Sequence, residues 1–92
     1  MNFEYDPNKS ESNKTKHGID FDEAKKLWES LTVTVPLGSG HGEERQAVFG
    51  IIDSKHWTAI TTYRDENIRI ISVRRSRKDE VDLYECKKRN QR

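Results

Sequence analysis

The 92-residue sequence has little of what builds a cross-linked or membrane-embedded protein. It contains one cysteine, two prolines and 32% hydrophobic residues. Cys86 cannot pair within the chain and has no neighbour at metal-ligand spacing, which excludes a disulfide scaffold and makes a reducing cytoplasm the simplest compartment. No apolar run is long enough to cross a bilayer. The N-terminus is acidic rather than basic and then apolar, so we expect neither a signal peptide nor a membrane partner.

Charge, in contrast, is abundant and unevenly distributed along the chain. Charged residues make up 36% of the sequence, and the net charge is +1. Residues 1–66 contain eight Lys/Arg and twelve Asp/Glu, whereas residues 67–92 contain nine Lys/Arg and four Asp/Glu. A chain polarised in this way can present a basic surface to a polyanion, although a solvated basic helix would give the same counts.

The stretch from Asn67 to Arg77 is the most informative part of the sequence. It reads N-I-R-I-I-S-V-R-R-S-R, and its β-branched residues favour a strand. Each of the two alternating sets of side chains, one for each face of the strand, is apolar in the middle and carries arginine at an end. This pattern predicts a strand central in a sheet. Arg74 and Arg75 are consecutive, so their side chains leave the strand on opposite sides. Because the guanidinium group suits phosphate, we predict an anion site here rather than separate surface ion pairs.

Helices are predicted on both sides of a run of strands. Asp6-Pro7 starts a polar helix that ends at Gly18, and Asp20 with Glu23 forms a capping box ahead of an amphipathic helix. The predicted elements are a short edge strand at 2–5, helices at 8–17 and 20–31, strands at 31–36, 46–53, 56–63 and 67–75, and a helix from about Ser76 with a frayed tail at 87–92.

These elements predict one domain over residues 1–92, of class α+β. Its sheet is an antiparallel meander, preceded by two N-terminal helices and followed by a C-terminal helix. We expect the helices to lie on one face or at one end of the sheet.

Five motifs in this sequence resemble the BrnT toxins of bacterial type II toxin–antitoxin systems, a branch of the RelE/ParE-like fold. They occur in the family's order and spacing over nearly the whole chain, and the last is the most specific. The motifs are F-E-Y-D-P-N-K at 3–9, N-x-x-K-H-G at 13–18, F-D-E-A at 21–24, G-E-E-R at 42–45 and I-R-I-I-S-V-R-R-S at 68–76.

The resemblance implies a small ribonuclease that arrests translation by cleaving RNA. It also implies a paired BrnA-like antitoxin, whose ribbon-helix-helix domain lets the complex bind operator DNA and repress its own operon. The toxin would meet DNA only through this complex, which could contain a toxin dimer. The sequence has no zinc, Ser/His/Asp or dinucleotide motif, and we expect no cofactor.

Metal-free RNA cleavage needs a base for the ribose 2′-OH, a cation for the charged phosphorane and an acid for the leaving 5′-oxygen. We expect Arg45 and Arg64, at neighbouring strand ends, to converge on the site. Of Arg74 and Arg75, we expect only one to face the substrate. Arg69 lies at the other end of its strand and is predicted to be structural, paired with Glu43 or Glu44. The candidate cations are Arg45, Arg64, Arg74 and Arg75.

The base and the acid are less clearly marked in the sequence. His17 ends a helix whose dipole favours the cationic imidazole and hence an acid role, but a partly buried histidine that locks the two helices together fits slightly better. Glu44 could be the base or an arginine's partner. Lys16 and His41 are further candidates, and His56 is predicted to be a surface position.

RNA contacts beyond the catalytic groups are predicted at Lys16, Arg77 and Tyr63. Tyr63 shares a parity with Trp57, so either ring could stack on a base or pack in the core.

Two classes of function therefore remain open from the sequence. The first is an RNA-cleaving toxin. The second is a non-catalytic module that binds nucleic acid or protein, because no clear acid–base pair is present.

Overall fold

The computed structural model describes residues 2–40 and 42–90. Its elements confirm the predicted α+β class, with two N-terminal helices, a sheet and a C-terminal helix. In order they are β1 (Asn2–Glu4), α1 (Pro7–His17), α2 (Phe21–Ala24) with a 3₁₀ turn (Lys25–Glu29), β2 (Val33–Gly38), β3 (Arg45–Ile52), β4 (Lys55–Arg64), β5 (Asn67–Arg75) and α3 (Lys78–Asn90).

The five strands form one sheet in the order β1-β5-β4-β3-β2. The strands β2 to β5 are an antiparallel meander, as predicted, while β1 pairs in parallel with the start of β5. The middle strand is β4, and the 67–75 strand lies beside it, between β1 and β4, so it is an internal strand as predicted. Beyond Arg69, the outer edge of β5 has no strand beside it among the described residues.

The side chain of Asn13, on α1, closes this open edge of β5. Its Nδ2 donates to the carbonyl oxygen of Val73 at 2.8 Å, and its Oδ1 accepts from the Val73 amide at 3.1 Å. The same Nδ2 also donates to the Ile19 carbonyl at 2.8 Å. Asn13 is buried, so these bonds satisfy backbone groups that water cannot reach, and they fix α1 against the strand.

The two faces of the sheet carry separate clusters of buried side chains. The face covered by α1, α2 and the 3₁₀ turn, here called the α1 face, packs Phe21 and Leu27 against Val48, Ala59 and Val73. The opposite face packs Tyr84 of α3 against a second cluster: Val33, Ala47 and Phe49. The expectation that all helices lie on one face or end was therefore wrong, because Tyr84 provides α3 with its own apolar contact.

The predicted 20–31 helix is shorter than its pattern suggests. Asp20 and Glu23 form the capping box, with bonds of 2.8 and 3.0 Å, but α-helical geometry ends at Ala24 and a 3₁₀ turn follows. Leu27 lies so close to β3 that a Cβ on Gly50 would come within 2.9 Å of Leu27 Cγ. This close approach requires a glycine at position 50 and draws the turn onto the sheet.

Two local irregularities set the register of the strands. Asp53 and Ser54 both have positive φ, at 50° and 69°, which is the geometry of a tight hairpin turn between β3 and β4. A bulge between β4 and β5 leaves Ile71 without a partner.

At the end of the chain, α3 extends through Asn90, so the tail predicted to fray from Lys87 is helical up to that residue.

Candidate nucleic-acid interface

Strand alternation places four arginines on the side of the sheet opposite α1. We call this side the arginine face, defined by the residues Arg45, Arg64, Arg69 and Arg74. The register pairs Arg74 with Thr58, and it pairs Thr62 with Arg45 on one side and Arg69 on the other. Arg64 follows Thr62 at the next position of the same parity. The helix α3 packs against β3, whereas Arg69 and Arg74 on β5 keep partly exposed side chains.

The arginine face has two ends. Arg74 lies level with Thr58, while Arg45 and Arg69 lie level with Thr62. These rows are about 13 Å apart along β4, because four residues of a strand rise ~3.3 Å each. The predicted convergence of Arg45 and Arg64 with Arg74 is therefore wrong: the three share a face, but they are at opposite ends of it.

At the first end, Arg74 is held firmly by Glu80 of α3. Nη1 and Nη2 donate to the two carboxylate oxygens at 2.7 and 2.8 Å, and the Glu80 side chain is only 14% exposed. Glu80 also accepts from the Arg77 amide at 2.8 Å and from Thr58 Oγ1 at 3.2 Å. These donors, Arg74 foremost, lower the pKa of Glu80 to about 2, and the carboxylate raises the pKa of Arg74.

A histidine and a glutamate lie beside this pair. His56 precedes Thr58 on the same face, and its Nε2 is 2.8 Å from Glu85 Oε2 of α3. The imidazole also packs edge-on against Tyr84, with ring centroids 5.6 Å apart. The hydrogen bond from His56 lowers the pKa of Glu85. His56 was expected at the surface, but the alternation His56, Thr58 and Arg64 along β4 would have indicated the shared face.

At the second end, the guanidinium groups are held less tightly. Arg69 pairs with Glu4 of β1 at 3.2 Å, and not with Glu43 or Glu44 as predicted. Arg45 Nη2 is 3.6 Å from Glu43, a long ion pair. Arg64 is exposed and has no carboxylate partner among residues 2–40 and 42–90. Cations with loose partners are available to an anionic ligand.

Arg75 leaves β5 on the α1 face, as the alternation predicts. Its guanidinium carbon lies 5.5 Å from the centroid of the Trp57 ring. Trp57 also lines a small cavity of about 140 Å³ with Gly18, which directly follows His17, and with Lys26 and Lys55. His17 therefore lies at the Arg75 end of the α1 face, away from Arg74.

The predicted site residues are thus divided between the two faces and do not form one cluster. On the α1 face, Tyr63 is 62% exposed, and Trp57 is buried in the core. Lys16 and His17 are exposed at the end of α1, and Arg77 is exposed beyond β5. Glu44 is exposed, and its carbonyl oxygen accepts a 2.6 Å bond from Thr62 Oγ1, which fixes the start of β3. His41 lies outside the described residues.

Two further features of the described residues concern membranes and metals. No helix in the described part of the chain is both long and apolar enough to cross a membrane. Within residues 2–40 and 42–90, no three His, Cys, Asp or Glu side chains lie together as a metal site requires.

Together, the meander sheet and its arginine face, part of which α3 covers, define a small α+β protein with a surface suited to anions. A family model described as "Ribonuclease toxin, BrnT, of type II toxin-antitoxin system" matches residues 5–80. The match covers most of the chain, and the chain belongs to this family of ribonuclease toxins, which confirms the resemblance seen in the motifs. No curated protein matches the chain.

Proposed function

We propose that this ribonuclease toxin binds RNA on the arginine face and cleaves it without a metal ion. One observation carries the proposal: four arginines from three adjacent strands share one face of the sheet. Guanidinium groups bind phosphate through charge and paired hydrogen bonds, and a strand of several nucleotides spans the ~13 Å between the two rows.

In this proposal Arg74 stabilises the charge that develops on the phosphorane. Its bidentate bond to Glu80 orients the guanidinium before the substrate arrives, so little reorganisation is needed during the reaction. Arg45 and Arg64, at the other end, contact the RNA away from the scissile phosphate. The long Arg45–Glu43 contact and the exposed Arg64 suit groups that bind an anionic ligand.

On the arginine face, His56 is the side chain near Arg74 that transfers a proton in the reaction. It lies one same-face position from Thr58, at ~6.6 Å along the strand, and Arg74 is paired directly with Thr58. Its bond to Glu85 orients the imidazole, as a carboxylate does in many acid–base sites. Glu80, with a pKa of about 2, is too weak a base to take this part at neutral pH.

The earlier candidates on the other face form a competing assignment. His17 as acid, with Arg75 as cation and Lys16, Arg77 and Tyr63 as RNA contacts, would place the substrate on the α1 face. The cavity beside Trp57 favours this arrangement. It is lined by Gly18, which follows His17, and by Trp57, which lies under Arg75. Glu44, at the start of β3, is the proposed base only if the scissile bond lies at the second end of the arginine face.

Cleavage assays with alanine variants decide between the two faces. Purified protein is incubated with RNA in EDTA, and expression of each variant is scored for growth arrest. We expect His56→Ala to lose cleavage and Arg64→Ala to weaken it, while His17→Ala and Arg75→Ala retain it. The reverse pattern would place the substrate on the α1 face, and loss of all cleavage in EDTA would contradict a metal-free reaction.

The partner is proposed to be a BrnA-like antitoxin with a ribbon-helix-helix domain, which covers the active surface in the cytoplasm. Together the two proteins would bind operator DNA and repress their operon, with a toxin dimer in the complex. Co-expression should abolish growth arrest, and gel-shift assays should detect DNA binding by the complex and not by the toxin alone. DNA binding by the toxin alone would contradict this arrangement.

A non-catalytic binding module is the second candidate, and one observation favours it. Arg69 and Arg74 are each paired with a carboxylate, which lowers the positive charge they offer to RNA. Under this alternative, the protein binds RNA with a steep salt dependence and leaves it intact. A cleaved 2′,3′-cyclic phosphate product would exclude it.

A further inference from the structure

A pocket of about 290 Å³ opens beside Arg45. It is lined by Leu37, Gly38, Gly40, Arg45 and Ile60. Its volume is near the lower end for small-molecule sites, about 300 Å³. Ile60 and Arg45 belong to the arginine face, so the pocket continues the surface on which we place the RNA.

The walls of the pocket suit a flat apolar ring. Leu37 is 52% exposed, which is unusual for a large aliphatic side chain at the end of an edge strand. It lies at a bulge between Pro36 and Gly38, where the register with β3 shifts. Gly38 and Gly40 have no side chain, so a ring can approach the backbone there.

Among the described residues that line the pocket, Arg45 is the single charged one. Its side chain is 28% exposed, and its Nε is buried without an acceptor among the described residues. The nearest carboxylate, Glu43, is 3.6 Å from Nη2, beyond good hydrogen-bond range. A buried N–H without a partner is uncommon in folded proteins, and it shows that this guanidinium is not committed to an internal acceptor.

We propose that this pocket binds one base of the RNA and selects guanine. Guanidinium is a donor only, and the Hoogsteen edge of guanine presents two acceptors, O6 and N7. Adenine places an amino donor where guanine has O6, so it meets the guanidinium donor to donor. Pyrimidines fill less of the apolar walls. The inference rests on the proposed function only in taking RNA as the source of the base.

Binding of a mononucleotide tests the pocket directly. ¹⁵N-labelled protein is titrated with 5′-GMP, and with 5′-AMP and 5′-UMP for comparison, and the Arg45 Nε–Hε and the Gly38 and Gly40 amide signals are followed. We expect GMP to shift these signals at lower concentration than AMP or UMP. Absence of a shift at Arg45 with GMP, or equal shifts with all three nucleotides, would overturn the proposal.

Selectivity within RNA is measured with 2′-O-methyl hexamers, which cannot be cleaved. A hexamer of uridine alone and hexamers in which one uridine is replaced by guanosine, adenosine or cytidine are compared by fluorescence anisotropy. We expect the guanosine hexamer to bind about 5- to 150-fold more tightly, the range for one bidentate arginine–guanine contact. Arg45→Lys, which keeps the charge and loses the paired donors, should bring this ratio close to one.

Two exposed leucines give a matched pair for the apolar wall. Leu37→Ala should reduce the guanosine-to-uridine ratio, whereas Leu83→Ala, at an exposed position of α3, should leave the ratio unchanged. A Leu37→Ala ratio equal to that of the wild type would contradict the pocket. Because binding is read without cleavage, a guanine preference in an inactive protein supports the pocket and contradicts the ribonuclease mechanism. Cleavage without a base preference supports the ribonuclease mechanism and contradicts the pocket.

Discussion

The two ends of the arginine face differ in how firmly they hold their guanidinium groups. Arg74 makes two bonds of 2.7 and 2.8 Å to a nearly buried carboxylate, and that carboxylate also binds the Arg77 amide at the start of α3. Arg45 has a carboxylate 3.6 Å away. The first arginine therefore holds α3 on the sheet, while the second keeps its hydrogen-bonding capacity for a ligand. Four predictions test this difference, from the largest expected effect to the smallest.

Glu80→Ala should have the largest effect on stability. It leaves the half-buried Arg74 charge and the Thr58 hydroxyl without their acceptor, which we expect to lower the free energy of unfolding by about 2–4 kcal/mol. Urea unfolding at pH 7 measures this change. Asp79→Ala, at an exposed position one residue earlier, is the control and should cost under about 1 kcal/mol. Equal effects of the two substitutions would show that the Arg74–Glu80 pair does not stabilise the fold.

Acid should weaken the same end of the face. The folded-state pKa of Glu80 is about 2, below its usual 4.5, because Arg74 donates to the carboxylate. The stabilisation is complete above pH ~4.5 and is lost as the pH falls toward 2, for a total of up to about 3 kcal/mol. Unfolding of the wild type and of Glu80→Gln should be compared at pH 6, 4 and 3. We expect the difference between them to shrink over this range, and a constant difference would contradict the assignment.

Arg64→Ala should change RNA binding with little change in stability. Arg64 is exposed, so the free energy of unfolding should move by less than about 0.5 kcal/mol. Loss of one phosphate contact should lower the slope of log K against log salt by about one. Lys9→Ala, an exposed cation on α1, should leave the slope as it is. If both variants lower the slope equally, RNA is bound by diffuse charge rather than by the arginine face.

Arg75→Ala should have a small effect on stability, well below that of Glu80→Ala. It removes an exposed guanidinium that lies over Trp57, a contact worth about 0.5–1 kcal/mol. Thermal or urea unfolding measures this cost. The neighbouring Arg74→Ala should cost more than Arg75→Ala, since Arg74 leaves Glu80 unpaired. A larger cost at position 75 would reverse the comparison between the two adjacent arginines.

The sequence was sufficient for the features that depend on local pattern. The alternation of β5 predicted that Arg74 and Arg75 lie on opposite faces, and the caps at Asp6, Gly18 and Asp20 are present in the structure. Each of these depends on residues a few positions apart, where backbone geometry allows few alternatives.

The predictions that failed concern contacts between segments that are distant in the sequence. The Glu4–Arg69 pair joins residues 65 positions apart, and it requires a parallel pairing of β1 that the pattern of residues 2–5 does not specify. The bulge at Ile71 shifts the register of β5, and no Gly or Pro in this stretch indicates it in the sequence. His56 was missed because its partner, Glu85, is placed by the docking of α3, which the sequence does not fix.

The bonds from Asn13 to Val73 have a consequence for how the sheet meets other chains. An exposed strand edge is a template for addition of a further strand, and such additions lead to aggregation or to unintended assemblies. Along β5 beyond Arg69, the asparagine amide occupies the donor and the acceptor that an incoming backbone would use at position 73. A protein that adds a strand to this toxin would thus be directed away from position 73, to the edge strands β1 and β2.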